Sequence, residues 1–288
     1  MHPLYGLRVQ DVQLSEVTRK HGYLEIRHAF EEQSLLLFPK QILDDEAHLR
    51  LGALFGPRED RTIDPSNPDP EISWVTNVKN GGSLYGEGEK RLLDLQSNML
   101  WHTDSTFLPA PALTNILVGR TIPPSGTSTE FCSTRIAWQE MPEELKQRAQ
   151  GQYFRHQYSH SRKKIDPDLA EDIRFTHWGE QVWKSVWKNP VNGREALYIA
   201  SHACGIVGME QKKALSLIDE LTDWCTQARY VYAHKWKVGD VLIWDERAIL
   251  HRGVPWNYDE ARSLSSICVS VTPEDGLEDM RYGRYDDQ

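Results

Sequence analysis

The sequence has few cysteines and places none of them in a metal-binding or disulfide-type spacing. Cys132, Cys204, Cys225 and Cys268 are widely separated in a chain of 288 residues and form no Cys-x-x-Cys pair. This spacing excludes a thiolate zinc module and offers no disulfide framework. We therefore expect reduced thiols and a cytoplasmic protein.

Long apolar segments, basic runs and internal repeats are also missing. No stretch reaches the roughly 18 apolar residues of a membrane span, and the N-terminus lacks the basic region and apolar core of a signal peptide. The formal net charge is −9, and we interpret the basic cluster at 162–164 as a solvated loop. The acidic net charge argues against nucleic acid or a membrane as partner and favours a small-molecule substrate. A homo-oligomer is compatible with this charge.

A His-x-Asp step is the most informative feature that the sequence does contain. The stretch 98–105 reads Asn-Met-Leu-Trp-His-Thr-Asp-Ser and predicts a short strand, in which residues i and i+2 project from the same face. His102 and Asp104 can then bind one ion, and His251 is the candidate third ligand if the fold brings it back to them. Two imidazoles and one carboxylate form the ligand set of non-haem Fe(II) oxygenases, although zinc hydrolases use the same ligand types.

Arg262 favours the first of these alternatives. Residues 249–254 and 262–271 have strand-like patterns, and 255–260 between them is typical of a turn. We predict a hairpin that places His251 and Arg262 nearly opposite each other, with Cβ atoms about 5 Å apart. A guanidinium beside a metal suits a dicarboxylic acid that chelates the metal at its other end, such as 2-oxoglutarate. A zinc hydrolase or a catalytically silent metal-binding β protein would not need this arginine.

Short motifs spread over nearly the whole chain match one known family in order. They are His-Pro-Leu-Tyr at 2–5, Ser-Leu-Leu-Leu-Phe at 34–38, Phe-Gly-Pro at 55–57, Trp-His-Thr-Asp-Ser at 101–105, Pro-Pro-Ser-Gly at 123–126, Thr-Glu-Phe at 129–131, Ala-Ser-His-Ala at 200–203 and the block 239–253. With these motifs the chain resembles the TauD/TfdA family of Fe(II)- and 2-oxoglutarate-dependent dioxygenases. Within that family it is most similar to the 2,4-dichlorophenoxyacetate dioxygenase branch.

The resemblance implies a reaction and the residues that support it. It implies hydroxylation of a C–H bond of a small organic molecule by O2, with conversion of 2-oxoglutarate to succinate and CO2. His102, Asp104 and His251 would be the catalytic Fe(II) ligands, and Thr129 and Arg262 would bind the 5-carboxylate of 2-oxoglutarate. From periodicity alone, Thr129 would be an ordinary β-branched strand residue.

The substrate side of the site carries weaker signals. Asn77 resembles a pocket-side asparagine of the family and His202 lies in the Ala-Ser-His-Ala segment, so both are candidate substrate contacts; a turn residue and a packed histidine are the alternatives. In sulfonate- and aryloxyalkanoate-cleaving members, a second basic residue beyond the co-substrate arginine holds the substrate's anion, but 263–267 here reads Ser-Leu-Ser-Ser-Ile. We predict that Lys79 or Arg247 replaces it, or that the substrate lacks this anion. Taurine and 2,4-dichlorophenoxyacetate should then be poor substrates.

The strand pattern predicts a mainly β protein with helical decoration. Compact apolar runs at 34–38 and 112–119, and the alternating pattern at 262–271, predict strands joined by turns that glycine and proline mark. Regular alternation of strands and helices is missing, which disfavours a parallel α/β fold. An antiparallel jelly roll fits this order, and the resemblance implies the double-stranded β-helix of cupin-like proteins.

One domain over 1–288 is expected, with two segments that depart from the strand pattern. Residues 58–92 are rich in Asp, Pro, Asn and Gly, and we interpret this long loop as a substrate lid, with ordinary surface variation as the alternative. Residues 152–192 lack a sustained period, and we interpret them as an insertion over one end of the β core, helical at 168–175. A helix capped by Asp44 is predicted to end at Phe55.

Overall fold

The computed structural model describes residues 1–283 and assigns them to strands and helices as follows. The strands are β1 (Leu7–Arg8), β2 (Leu35–Phe38), β3 (Ser73–Thr76), β4 (Ala112–Thr121), β5 (Ser128–Ser133), β6 (Tyr153–His156), β7 (Gln181–Lys184), β8 (Val186–Lys188), β9 (Glu195–Leu197), β10 (Ala203–Ile206), β11 (Val231–Lys235), β12 (Val241–Asp245), β13 (Ile249–Gly253) and β14 (Ser263–Ser270). The helices are α1 (Tyr23–Gln33), α2 (Asp45–Phe55), α3 (Lys90–Ser97), α4 (Thr134–Gln139), α5 (Glu143–Ala149), α6 (Tyr158–Lys163), α7 (Pro167–Ala170), α8 (Ile173–Thr176), α9 (Gln211–Cys225) and α10 (Leu277–Met280).

Two facing sheets form the centre of the protein. The larger sheet has the order β1-β2-β12-β4-β14-β3, and the smaller has the order β11-β5-β13. All their pairings are antiparallel except that of β1 with β2. Side chains from both sheets share one buried apolar cluster, so the arrangement is the expected sandwich of a jelly roll.

Strand β2 of the larger sheet is buried on both faces, which explains its uninterrupted apolar run. Leu35 and Leu37 pack in the cluster between the sheets, together with Phe131 of β5. Leu36 and Phe38 point the other way and pack in the cluster that includes side chains of α1 and α2. Because neither face meets water, this strand has no polar position, whereas a half-exposed strand would alternate.

The helix predicted from Asp44 to Phe55 is confirmed. The Asp44 carboxylate accepts a hydrogen bond of 2.7 Å from the backbone N–H of Ala47, and α2 ends at Phe55 before Gly56. The two acidic residues of its first turn, Asp45 and Glu46, also favour this end of the helix dipole. Local capping chemistry was therefore sufficient to define this helix.

The predicted hairpin between His251 and Arg262 is wrong. β13 pairs with β5 in the smaller sheet, whereas β14 pairs with β4 and β3 in the larger one. Residues 254–262 therefore cross from one sheet to the other, and the backbone N–H of Val254 still donates to Ser128 O on β5 at 3.1 Å. Alternating patterns identify strands but not their partners, so this register could not be obtained locally.

The stretch 98–105 is not a strand either, contrary to the prediction. It follows α3, and within it only His102 makes a β-bridge, to His251. The backbone N–H of each histidine donates to the carbonyl of the other, at 3.0 and 2.8 Å. Ser105 adopts a left-handed backbone with φ 58°, which ends any extended run.

The segments 58–92 and 152–192 both contain regular structure. Residues 58–92 include β3, which pairs with β14, and the start of α3. Residues 152–192 contribute β6 and β7 to a three-stranded sheet with β10, and the expected helix at 168–175 occurs as α7 and α8. Arg162, interpreted as part of a solvated loop, is instead buried in α6. The last part of the expected domain, 284–288, lies outside the described residues.

No helix within residues 1–283 is long and apolar enough to cross a membrane.

Candidate active site

His102, Asp104 and His251 lie close together beside the backbone β-bridge that pairs the two histidines. One ligand atom from each residue lies within 4.8 Å of the other two. The Nε2 atoms of His102 and His251 are 3.6 and 3.9 Å from the same Asp104 oxygen, Oδ1. The sequence prediction that these three residues meet is therefore confirmed, although the local backbone differs from the predicted strand.

The second oxygen of Asp104 is held by neighbouring side chains. Asn115 Nδ2 donates to Asp104 Oδ2 at 2.9 Å, and the thiol of Cys268 lies 3.7 Å from the same atom. Ser266 Oγ in turn donates to Asn115 Oδ1 at 2.8 Å. These contacts leave Oδ1 to face the two imidazoles, which orients the carboxylate for one-atom ligation of an ion.

Glu246 lies behind the three candidate ligands. Its Oε2 accepts the backbone N–H of Asp104 at 2.9 Å and is 3.8 Å from Nδ1 of His251. Burial, and then the charge of Asp104, raise the pKa of Glu246 well above its ordinary value. This carboxyl therefore holds the backbone of Asp104 by a hydrogen bond and lies near the ring of His251 without a hydrogen bond to it.

The protonation states of the three residues suit metal binding. Burial lowers the pKa of His102 and lowers that of His251 to about 3, so both rings are neutral at neutral pH. Burial opposes ionisation of Asp104, but His251, His102, Arg61 and the hydrogen bond from Asn115 together hold its pKa below the ordinary value. Neutral imidazoles beside an ionised carboxylate are the forms that bind a divalent cation.

Arg262 and Thr129 line a cavity of about 90 Å³ that also contains the three candidate ligands. Trp236 Nε1 donates to Thr129 Oγ1 at 2.9 Å, so the hydroxyl proton of Thr129 is free to donate elsewhere. The Arg262 guanidinium lies over the ring of Trp256, 4.6 Å from its centroid. The cavity thus joins a metal-ligand set to two donors suited to a carboxylate.

Arg262 is a buried cation without an acidic partner. It is only 4% exposed, its Nε makes no hydrogen bond, and no carboxylate within residues 1–283 forms an ion pair with it. Burial lowers the pKa of Arg262 to about 10. An isolated buried charge costs several kcal/mol, so this residue fits a site that receives an anion from outside the chain.

A second cavity, of about 130 Å³, shares His102 and Asp104 with the first. His202 lines it, with its Nδ1 2.9 Å from Ser161 Oγ and its ring centroid 6.4 Å from that of His102. Burial, followed by the charge of Arg162, lowers the pKa of His202 well below its ordinary value. The ring is therefore a neutral polar group in the wall of this cavity, as a substrate contact would be.

Three other sequence expectations for the substrate side are not supported. Asn77 is buried and uses its amide to accept from the backbone N–H of Arg262 and to donate to the carbonyls of 258 and 260. It therefore braces the crossing segment, and it lines neither of the two cavities described above. Lys79 pairs with Glu89, and Arg247 is enclosed by Glu31 and Asp245. Neither cation lines the two cavities.

Several residues of the site were missed by sequence reasoning. Arg61, Arg162, Tyr158 and Asn115 line the second cavity, and Trp236 positions Thr129. They occur in the two segments without a regular pattern or in ordinary strand positions, where nothing local marks them. The one available signal was the density of aromatic residues within 152–192, which suggests packed side chains and not a loop on the surface.

The chain is similar to known proteins over nearly its whole length. A model of the family "Taurine catabolism dioxygenase TauD, TfdA family" matches residues 2–268. The chain is 31% identical over 271 residues to the alpha-ketoglutarate-dependent 2,4-dichlorophenoxyacetate dioxygenase of Cupriavidus pinatubonensis, covering 92% of this chain and 94% of that protein. It is 31% identical over 277 residues to the (S)-phenoxypropionate/alpha-ketoglutarate-dioxygenase of Sphingobium herbicidovorans, covering 93% of each.

Among solved structures, the fold is similar to a crystal structure of AAD-2 in complex with Mn(II) and N-oxalylglycine. The TM-score is 0.88 at 27% sequence identity, and the match covers 94% of this chain and 96% of that chain. This similarity confirms the expected mainly β, cupin-like double-stranded β-helix. The match to residues 2–268 includes every residue of the candidate site.

Proposed function

The chain belongs to the TauD, TfdA family of dioxygenases, and we propose on this basis that His102, Asp104 and His251 hold Fe(II) while Arg262 and Thr129 bind 2-oxoglutarate. The protein is a 2-oxoglutarate-dependent dioxygenase that requires Fe(II) and O2. It hydroxylates a small organic molecule and releases succinate and CO2. Family membership decides against the zinc hydrolase and the silent metal-binding protein.

The residues of the chain bind, orient and protect the reactants. Bound Fe(II) and 2-oxoglutarate together supply the activation of O2 and the oxidation of the substrate C–H bond. Two neutral imidazoles and the Oδ1 atom of Asp104 offer three ligands from one side, which leaves the opposite side for co-substrates. Arg262 and the Thr129 hydroxyl bind the far carboxylate, and both side chains are buried in the wall of the first cavity.

One observation carries this assignment. The guanidinium of Arg262, which is buried and has no ion-pair partner among residues 1–283, lines the same cavity as the three converging ligand atoms. A metal site alone would not need a cation nearby, since the cation would repel the metal. A dicarboxylate that ligates the metal at one end and the guanidinium at the other accounts for both features.

Anaerobic addition of Fe(II) and 2-oxoglutarate to the purified protein is expected to give a visible charge-transfer band. The band requires 2-oxoglutarate to chelate the iron, so neither component alone should produce it. A titration followed by absorbance spectroscopy measures both affinities. Zn(II) in place of Fe(II) is the matched control and should give no band. Failure of the band to form with Fe(II) bound would contradict the proposed co-substrate site.

We propose further that the enzyme acts in the cytoplasm on a free small molecule. All four cysteines are unpaired, which agrees with a reducing compartment. The net charge of −9 supports neither nucleic acid nor an anionic membrane as partner, and a homo-oligomer remains compatible with the chain. Substrate contact is assigned to His202, on the basis of its place in the wall of the second cavity.

We propose that the substrate lid predicted within 58–92 consists of residues 60–72. Glu59 is anchored by its backbone N–H to Cys268 O at 2.9 Å, and β3 is anchored on β14. Between these anchors the hydrogen bonds are mainly local, such as the one that the backbone N–H of Ser66 donates to Asp64 Oδ1 at 2.9 Å. A segment held at both ends and weakly held between them can order when a ligand binds.

Trypsin is therefore expected to cleave after Arg61 more slowly when the site is filled. The comparison is between the free protein and the protein with Fe(II), 2-oxoglutarate and a turnover substrate under anaerobic conditions, with fragments identified by mass spectrometry. Cleavage after Lys237, an exposed residue in another loop, is the internal control and should not change. Equal cleavage after Arg61 in both states would leave the segment as ordinary surface.

A further inference from the structure

The backbone of Arg262 is held by two neighbouring residues at the end of β3. Its N–H donates to Asn77 Oδ1 at 2.8 Å, and its carbonyl accepts from Thr76 Oγ1 at 2.9 Å and from the backbone N–H of Asn77 at 3.3 Å. Arg262 directly precedes β14, and Ser263, the first residue of that strand, pairs with Thr76. The last residue of β3 and the residue after it therefore fix the backbone from which the arginine side chain extends.

The side chain of Asn77 also holds the segment that precedes Arg262. Its Nδ2 donates to the carbonyls of Tyr258 and Glu260, both at 2.9 Å. Asn77 is fully buried, so water does not compete for these hydrogen bonds. Glu260 Oε2 also accepts two hydrogen bonds from Ser125, but these lie at the exposed surface. The buried amide is therefore the stronger fastening of this segment.

The amide of Asn77 has one orientation and no donor to spare. Its nitrogen has two N–H donors, and the two carbonyls of the crossing segment use both of them. Its oxygen accepts the backbone N–H of Arg262. A flipped amide would place its nitrogen against that N–H donor and its oxygen against two carbonyls, so the partners define the orientation. Asn77 therefore binds the backbone of the crossing segment and has no N–H left for a substrate.

The guanidinium of Arg262 depends on this backbone for its place. Its nitrogen atoms donate no hydrogen bond to another residue within 1–283, and it forms no ion pair there. It lies over the ring of Trp256, 4.6 Å from the centroid, and Trp256 belongs to the same crossing segment. Because no side chain of either sheet bonds the guanidinium itself, a shift of this segment would move both the cation and the ring on which it lies.

Resting on the proposed function, we infer that Asn77 is a positioning residue for 2-oxoglutarate. Its three hydrogen bonds fix the backbone on the N-terminal side of Arg262, and they thereby place the guanidinium opposite the metal ligands in the first cavity. A charge-assisted contact requires its donors at a defined distance and angle from the carboxylate. Loss of Asn77 should thus weaken the contact to the far carboxylate and leave the chelating end of the co-substrate unaffected.

The test compares 2-oxoglutarate with 2-oxopentanoate, which keeps the chelating end and the chain length but has a methyl group in place of the far carboxylate. Both acids are titrated without O2 into protein loaded with Fe(II), and the charge-transfer band reports their binding. In Asn77→Ala we expect 2-oxoglutarate to bind about tenfold more weakly, with the affinities for 2-oxopentanoate and Fe(II) unchanged. A general distortion of the site would weaken both acids alike, and that result would overturn the inference.

Combination with Arg262→Gln shows whether Asn77 acts through the arginine. In protein that already carries Arg262→Gln, the substitution Asn77→Ala should have no further effect on the affinity for 2-oxoglutarate, because no guanidinium is left to position. Two independent effects that add would overturn the inference. If Asn77→Ala does not fold, Asn77→Ser replaces it, since a short hydroxyl side chain keeps a polar group there but should not reach both carbonyls. The same selective loss of 2-oxoglutarate affinity is expected from it.

The matched control is Asn189→Ala. Asn189 is also a buried asparagine, with Nδ2 donating to Glu31 Oε2 at 2.6 Å and Oδ1 accepting the backbone N–H of Val191 at 2.8 Å. It lines neither of the two cavities. This variant should lower the melting temperature, as loss of any buried and hydrogen-bonded amide does, and keep the ratio of the two affinities. A changed ratio in Asn77→Ala alone therefore separates positioning from stability.

Failure of this inference and failure of the proposed function give different results. If the unchanged protein forms no charge-transfer band with Fe(II) and 2-oxoglutarate, the proposed co-substrate site is wrong and the role of Asn77 falls with it. The same holds if Arg262→Gln keeps the full preference for 2-oxoglutarate over 2-oxopentanoate. If this preference depends on Arg262 and is unchanged in Asn77→Ala, only the positioning role is wrong.

Discussion

Alanine at His102, Asp104 or His251 is expected to abolish Fe(II) binding and turnover together. The three ligand atoms lie within 4.8 Å of one another, so each substitution removes one third of the protein's ligand set. Loss of an outer partner of a ligand already costs about 10- to 100-fold in metal affinity, and loss of a ligand itself should exceed the upper value. Fe(II) titration under anaerobic conditions and succinate formation measure the two effects.

The matched control for these variants is His28→Ala, which removes an exposed imidazole from α1. It should bind iron and form succinate like the unchanged protein. A milder variant, Asn115→Ala, removes the donor to Asp104 Oδ2 and should weaken Fe(II) binding by less than loss of the carboxylate. Near-normal succinate formation in any of the three ligand variants would show that the ligand assignment is wrong.

Arg262→Gln is expected to leave Fe(II) bound and to raise the 2-oxoglutarate requirement about ten- to hundredfold. The guanidinium is buried and has no acidic partner in the described part of the chain, so we expect its main interaction to be with the bound anion. A charge-assisted contact of this kind contributes about 1.5–3 kcal/mol. The KM for 2-oxoglutarate, measured beside the Kd for Fe(II), separates this effect from a general loss of the site.

Two further variants test whether a change in 2-oxoglutarate affinity is specific to the loss of Arg262. Arg252→Gln removes a guanidinium that pairs with Glu130 at 2.7 Å, one residue from His251, and should leave the KM for 2-oxoglutarate unchanged. Trp236→Phe removes the donor that orients Thr129, and its effect should be smaller than that of Arg262→Gln because no charge is lost. Unchanged affinity for 2-oxoglutarate in Arg262→Gln would refute the proposed carboxylate site.

The sequence correctly predicted that Arg262 lies near His251, but it predicted the wrong strand pairing between them. A hairpin was predicted to bring Arg262 to His251. In the structure, His251 lies on β13 of the smaller sheet, and Arg262 directly precedes β14 of the larger sheet. Arg262 reaches the same cavity because residues 254–262 cross the sandwich and Asn77 braces that crossing. Asn77 was predicted to contact the substrate, and its hydrogen bonds to the crossing segment are long-range contacts that no local pattern reveals.

What the sequence by itself determined is the chemistry that depends on residue type and nearby spacing. Asp44 and its acidic neighbours define the start of α2, and the apolar run of β2 predicts a strand buried on both faces. The His-x-Asp step, with His251 and Arg262, indicates the metal and the dicarboxylate. These signals are local or lie in motifs, so they can be recognised without knowledge of the fold.

Only the tertiary structure decided which charges face the site. Lys79 and Arg247, the cations proposed from sequence, are paired elsewhere with carboxylates, while Arg61 and Arg162 line the cavity. All are strongly basic side chains, and the sequence around each gives no sign of which will line the cavity. The balance of charge around a buried group depends on residues far apart in the chain, such as Asp94 beside Arg162, and it exists only after packing has brought them together.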